Sequence, residues 1–314
     1  MAGGKSIVLI GAGRMGGALA SGWLSGRSKP NLSIVAPRPT AQVKDWADEG
    51  RVQLNPDPAP ATIVVLAIKP QQFARAAESV KAFIGEKTLV VSVMGGIRLS
   101  QLEDRLGTSR VIRAMPNTPG SVGKGVTLLA ATPSLAETDM EAARKLLTPL
   151  GLVEGPMDEK TMVAATGISG CGPAYTFHLI EAMAAAGEAN GLAPELALQL
   201  AKATVAGAGH LAENADEDPT QLRINVTSPN GVTQAALEVL MIENGQHLFD
   251  LEWMQPLKDR LLVLGIEGTV NKDQRVASLA PLDGFAFEAL FMISVMLKDK
   301  DLSPLLTCPN LYLL

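Results

Sequence analysis

Apolar residues gather in short runs at 6–10, 32–36, 63–68, 88–93 and 110–115, separated by helix-length stretches of mixed character. Runs that are apolar on both faces read as strands covered from both sides. Their alternation with helices predicts repeated βαβ units in a mostly parallel sheet with right-handed crossovers. A further strand is expected at Gly125–Ala131. Ser134 then reads as a helix N-cap, with Glu137 three residues on completing a capping box, and that helix is expected to run to about residue 150. From 161 onward the texture changes to alanine-rich segments with helical periodicity at 161–168, 174–190, 194–213 and 232–243, which predicts a helical second domain. Residues 174–213 hold few charges, so one face of that stretch is expected to pack on another copy of the chain as a homodimer.

The first strand runs directly into Gly11-Ala12-Gly13-Arg14-Met15-Gly16-Gly17 and then a helix. In that context GxGxxG predicts a Rossmann-type dinucleotide site: Gly11 for the tight turn, Gly13 for close approach of backbone to pyrophosphate, Gly16 for packing of helix on strand. The phosphates would then face the helix N-terminus. After the second strand stands Ala36-Pro37-Arg38-Pro39-Thr40, with no carboxylate to select the ribose of NAD. Arg38 and Thr40 can bind a 2′-phosphate, so NADPH is favoured over NADH, although Arg38 also reads as a solvated loop arginine. Three more strand ends, with Ala67, Lys69 and Pro70, with Met94 and Gly95, and with Asn117, are expected to converge on the nicotinamide. Each alone also reads as a helix cap or turn.

The remaining features narrow the class. With 314 residues, 47% hydrophobic and 19% charged, the chain can form two well-packed domains. A net charge of -5 and no run of Lys or Arg argue against nucleic acid or an anionic membrane, leaving a small molecule as the substrate. Cys171 and Cys308 lack a partner motif, and a strand pattern begins within six residues of Met1, so a cytoplasmic protein without a signal peptide is expected. His178, His210 and His247 show no ligand spacing, and no metal is expected. The loop at 228–233 is made of turn formers and enters the helix at 232–243, so it offers backbone N–H groups to a carboxylate.

Taken in order, Gly11 to Gly16, Ile68-Lys69-Pro70-Gln71, Met115-Pro116-Asn117-Thr118-Pro119, Gly170-Cys171-Gly172-Pro173-Ala174-Tyr175 and Ser228-Pro229-Asn230-Gly231-Val232-Thr233 resemble the pyrroline-5-carboxylate reductases over residues 5–245. The resemblance implies an NADP-binding Rossmann domain at 1–157 and a helical dimerisation and substrate domain at 158–245, forming a dimer or a larger assembly of dimers. It also implies NAD(P)H-dependent reduction of a cyclic imine to proline. By the same resemblance Val226, Ser228, Asn230, Gly231 and Val232 line the substrate loop, while Asn55 and Asn225 meet the cofactor. Asn55 precedes Pro56 and reads equally as a turn. With the substrate carboxylate held at the loop, the Thr233 hydroxyl can donate to the developing amine; the residue also reads as an ordinary first-turn threonine.

The chain departs from the family pattern at Cys171, where serine is usual, and at Asn230 and Val232, which interrupt a glycine-rich run. Residues 246–314 do not resemble the family's closing segment and read as an appended or frame-altered tail. Their apolar stretch at 285–297 is too short for a membrane span and contains Glu288. Among rivals, a β-hydroxyacid dehydrogenase needs a lysine on the long helix, and residues 161–201 contain neither Lys nor Arg. A hydrolase elbow fails at Cys171. A non-catalytic NADP sensor would have no use for the anion-binding loop.

Overall fold

The computed structural model describes residues 5–26, 30–132 and 134–240; the tail at 246–314 lies outside them. Strands β1 (Ser6–Ile10), β2 (Asn31–Val35), β3 (Gln53–Leu54), β4 (Ile63–Leu66), β5 (Leu89–Ser92), β6 (Val111–Pro116), β7 (Gly125–Ala131) and β8 (Gly151–Glu154) form one sheet in the order 3-2-1-4-5-6-7-8. Strands β1 to β6 are parallel, β7 runs antiparallel to β6, and β8 is parallel to β7. Every residue of β4 and β5 is buried, as continuous apolar runs require in a sheet covered on both faces. The edges are different: β3 has two residues and β8 alternates half-buried with exposed positions. Neither gives a run long enough to stand out in the sequence.

Helices α1 (Arg14–Ser25), α2 (Ala41–Asp48), α3 (Pro70–Lys81), α4 (Leu99–Leu106) and α5 (Glu137–Leu147) lie between the strands in sequence. Leu19, Trp23, Val43, Trp46, Met140 and Leu147, from α1, α2 and α5, share one core cluster with alternate residues of β1 and β4. Phe73, Val80, Leu102 and Leu106, from α3 and α4, share a second cluster with the intervening residues of the same strands. The period of two in the strands thus feeds two separate cores, the layering of a doubly wound fold. The one polar atom of Trp23 is accommodated by donation from Nε1 to the Leu146 carbonyl at 2.7 Å.

The start of α5 differs from the sequence expectation. Ser134 is not its cap: the helix begins at Glu137 with Ala136 in the capping position and no side-chain cap, and it ends at Leu147 before a 3-10 turn, Thr148–Leu150. The ends are complemented by charge instead, with Glu137 and Asp139 in the first turn and Arg144 and Lys145 in the last, each sign matched to the helix dipole. Pro149 ends the regular helix.

The helical part comprises α6 (Glu159–Ser169), α7 (Gly172–Ala189), α8 (Pro194–Asn214), α9 (Pro219–Asn225) and α10 (Val232–Leu240). Asp158 caps α6 by accepting from the Thr161 N–H at 2.9 Å and its hydroxyl at 2.6 Å, and these bonds hold its carboxyl below the usual carboxylate range. Met162 of α6 packs beneath Leu128 and Ala130 of β7. Buried Arg113 of β6 donates to Glu159 Oε1 at 2.7 Å, and the same oxygen accepts the Leu99 N–H at the head of α4. Helices α7 and α8 form a tight hairpin in which a Cβ on Gly187 would stand 3.2 Å from the Ala197 side chain. Their surface leaves Phe177 (56% exposed), Leu179, Leu196, Leu200 and Leu211 open to solvent. No described helix is long and apolar enough to cross a membrane.

Candidate active site

The carboxyl ends of β1, β4, β5 and β6 share one edge of the sheet, because those strands are parallel and hydrogen-bonded in sequence along it. At the end of β1, Gly11 takes φ +90°, a conformation that glycine adopts without a Cβ penalty. The chain then enters α1 through Gly13, which provides no side-chain cap. The helical ladder opens with Gly17 N–H to Gly13 O at 2.7 Å, so the Arg14, Met15 and Gly16 N–H groups point out of the helix end without an intrahelical acceptor. A Cβ on Gly16 would collide with the Gly11 carbonyl, whereas one on Gly13 meets nothing within 4 Å. Gly16 therefore serves the close approach of helix to turn, and Gly13 leaves an open cradle that the fold itself does not fill. Ala12 is buried beneath the loop and Met15 packs partly on the core, so both contribute backbone rather than side chain. Arg14 is exposed at a helix N-terminus where a cation is unfavourable in the absence of a ligand anion.

Arg38 stands exposed after β2 and makes no ion pair or hydrogen bond among the described residues. Thr40 is committed as the N-cap of α2, accepting from the Val43 N–H at 3.3 Å. Asn55, at φ +47°, spends its amide on β2: its Oδ1 accepts from the Ala36 N–H at 2.8 Å and its Nδ2 donates to the Ala36 carbonyl at 3.2 Å. It acts as a clip on the strand end that presents Arg38.

Ala67 lies against Gly11, and the Lys69 side chain is exposed at the head of α3, where Pro70 is the first residue. Met94 is buried in the α3–α4 core, leaving only its backbone for a ligand; Gly95 beside it faces open space. Asn117 is also nearly buried, and both ends of its amide are taken by protein groups at Val126 and Ser169. Beyond Ser169, burial pushes the Tyr175 phenol above its ordinary value and the neighbouring Cys171 adds to the shift, so that hydroxyl keeps its proton at neutral pH.

The second group of expected residues lies apart from this edge. Asn225, Val226, Ser228, Asn230, Gly231, Val232 and Thr233 join α9 to α10, and neither helix packs extensively on the sheet or on α1 to α5. Val232 is 89% exposed and Thr233 is exposed beside it. Asn225 Oδ1 accepts from Gln221 Nε2 at 2.7 Å. Asn230 occupies the left-handed region at φ +57°, which asparagine tolerates better than most residues other than glycine. Its N–H is taken by Gln234 Oε1 at 2.8 Å and that of Gly231 by the Ser228 carbonyl at 3.0 Å. Since the ladder opens with Ala235 N–H to Gly231 O, the Val232, Thr233 and Gln234 N–H groups remain as the donors at the head of α10. The sequence reading missed Gln234, and it missed α9 despite the signal of Asp218, which caps Thr220 and Gln221, followed by Pro219.

Comparison with known proteins matches both parts of the chain. The pyrroline-5-carboxylate reductase dimerisation family model matches residues 159–250, and the model for NADP oxidoreductase, coenzyme F420-dependent, matches residues 6–96. The pyrroline-5-carboxylate reductase of Pseudomonas aeruginosa is 37% identical over 239 residues, which cover 74% of this chain and 87% of that one. A solved pyrroline-5-carboxylate reductase from Coxiella burnetii, 32% identical, superposes with a TM-score of 0.75 over 83% of this chain and 98% of that chain. The Plasmodium falciparum pyrroline carboxylate reductase, solved with NADP bound, is 26% identical with a TM-score of 0.66 over the same shares. On the sequence and structural matches together, this chain belongs to the pyrroline-5-carboxylate reductase family.

Proposed function

We propose that this chain reduces the C=N bond of 1-pyrroline-5-carboxylate to give proline, using NADPH. The observation that carries the reading is the unfilled cradle at Gly13 beside three outward N–H groups of α1, on the sheet edge that also bears Lys69 and Gly95, in a member of this family. When bound there, NADPH supplies the hydride. The residues present fit it: the Arg14, Met15 and Gly16 N–H groups bind the pyrophosphate, with Ala12 and Gly13 shaping the turn. Arg38 takes the 2′-phosphate, and Asn55 holds the strand that presents it. Ala67, Lys69, Pro70, Met94 and Gly95 border the reactive end, Met94 through its backbone, and Asn225 reaches it only with the loop that a second copy brings.

The substrate carboxylate is anchored at the head of α10, between Ser228, Asn230 and Gly231 on one side and Val232 on the other, with Val226 walling the loop. Thr233 is the catalytic residue in this reading: its hydroxyl donates a hydrogen bond to the ring nitrogen as that nitrogen becomes an amine. Because the loop stands away from the cofactor edge of its own chain, the second copy in the dimer completes the site, and the bare α7–α8 face is where that copy docks. The 1–157 and 158–245 segments are then a cofactor domain and a substrate domain, meeting between β8 and α6. A cytoplasmic setting suits the free thiol of Cys171.

Adding 1-pyrroline-5-carboxylate to enzyme and NADPH is expected to consume NADPH absorbance and yield proline in equal amounts; no consumption above that of an enzyme-free control overturns the assignment. In the same assay, Arg38→Ala is expected to reduce the preference for NADPH over NADH by roughly 10 to 150-fold, the equivalent of about 1.5–3 kcal/mol for a charge-assisted hydrogen bond. An unchanged ratio of kcat/KM for the two cofactors would remove Arg38 from the site.

A further inference from the structure

Asn117 closes β6, and its side chain spans the two domains. Its backbone N–H donates to the Val126 carbonyl at 3.2 Å, its Oδ1 accepts from the Val126 N–H at 2.8 Å, and its Nδ2 donates to the Ser169 carbonyl at 2.8 Å. The residue is 9% exposed. Gly125 makes the arrangement fit, since a Cβ there would stand 2.7 Å from the Asn117 Oδ1. Ser169 is the last residue of α6, and its carbonyl is one of the four at a helix end that have no intrahelical donor. Immediately beyond it, the Gly170 and Cys171 N–H groups both fold back to the Thr166 carbonyl, at 2.8 and 3.0 Å, and α7 begins at Gly172. The α6–α7 corner therefore hangs by the Asn117 amide from the carboxyl end of β6, on the edge that carries Gly11, Lys69 and Gly95.

We propose that Asn117 is a positioning residue: through the Ser169 carbonyl it sets the height of the α6–α7 corner over the reactive end of the cofactor, without touching cofactor or imine. This rests on the reading of that edge as the site of reduction. The chemistry of the side chain explains the choice of residue. One acceptor must meet the Val126 N–H and one donor must meet the Ser169 carbonyl, and a neutral amide supplies both. A carboxylate keeps the first bond and turns the second into a repulsion between oxygens. A protonated carboxyl group restores both.

That difference supplies the test. Asn117→Asp is expected to lower kcat roughly 10-fold at neutral and alkaline pH, the scale set by one lost hydrogen bond and a buried unpaired carbonyl. NADPH affinity, measured by fluorescence titration, is expected to stay within about twofold, because the glycine loop and Arg38 lie on other elements. As the pH falls, the deficit relative to wild type shrinks for Asn117→Asp and persists for Asn117→Ala. In cofactor-free protein, hydrogen exchange of the peptide spanning Gly170 and Tyr175 is expected to follow the same pattern relative to wild type. This arm needs no substrate, so a wild-type enzyme that fails to reduce the imine overturns the functional reading while exchange still decides the role of Asn117. Wild-type kcat and exchange in Asn117→Asp at neutral pH overturn the proposal, as does a pH-independent deficit in which NADPH affinity and kcat fall together.

Discussion

Gly13→Val is expected to leave the unfolding transition at its wild-type midpoint while weakening NADPH at least 100-fold. The contrast follows from the space around the residue. Its φ of -74° lies outside the left-handed region that favours glycine, its backbone is extended, and a Cβ built there touches nothing within 4 Å. The new side chain would instead occupy the volume in front of the Arg14, Met15 and Gly16 N–H groups. Excluding a phosphate from two charge-assisted hydrogen bonds at about 1.5–3 kcal/mol each gives a loss of the stated size or larger. Gly16→Val in the neighbouring turn is the control, because there the Cβ runs into the Gly11 carbonyl and the fold itself should yield. Calorimetry of both variants, with NADPH titrated into each, separates the two roles. If Gly13→Val binds NADPH with wild-type affinity, the cradle is not the pyrophosphate site.

Thr233→Ala is expected to cost roughly 10 to 300-fold in kcat/KM for the imine, with NADPH binding unchanged. The lower figure is what a neutral hydrogen bond at about 0.5–1.5 kcal/mol sustains, and the upper is what a preorganised donor to developing charge sustains at about 3–4 kcal/mol. An imine can arrive already protonated, so loss of the hydroxyl is milder than loss of an essential base. The structure places Thr233 in the first turn of α10, exposed and with no side-chain hydrogen bond among the described residues. Its hydroxyl is therefore not occupied in capping the helix. Wild-type kcat/KM in this variant across the pH range would return Thr233 to the role of an ordinary first-turn residue and move the donor elsewhere.

The parts of the fold that were legible in the sequence are those fixed by local pattern. The bounds of β1 and β7 coincide with the apolar runs because glycines mark an end of each, Gly11 just after β1 and Gly125 as the first residue of β7. The phosphate loop was legible because Gly11 and Gly16 answer local steric demands and the spacing marks Gly13 between them as the residue that leaves space open. What stayed hidden depends on partners remote in the chain. Asn117 reads as a turn residue or a cofactor contact until Ser169, 52 positions away, is seen to take its amide. Asn55 likewise reads as a turn until its pairing with Ala36 is visible. The Ser134 cap failed for a different reason: a turn closed by the Leu135 N–H on the Thr132 carbonyl intervenes, and the helix begins only at Glu137, two residues too late for Ser134 to stand in the capping position.

The α7–α8 hairpin has only Ala184, Ala197 and Ala201 as its fully buried side chains. Three methyl groups contribute a few kcal/mol at most, well short of the ordering cost of two helices totalling 39 residues (18 and 21). If a second copy docks on the α7–α8 face as proposed above, the larger apolar area of this part of the molecule comes out of water when two chains meet. By mass action, folding of the hairpin and pairing of the chains are then a single equilibrium, and its midpoint moves with protein concentration. Dilution, as much as heat, unfolds such a domain, and any ligand that binds across the two copies holds it together.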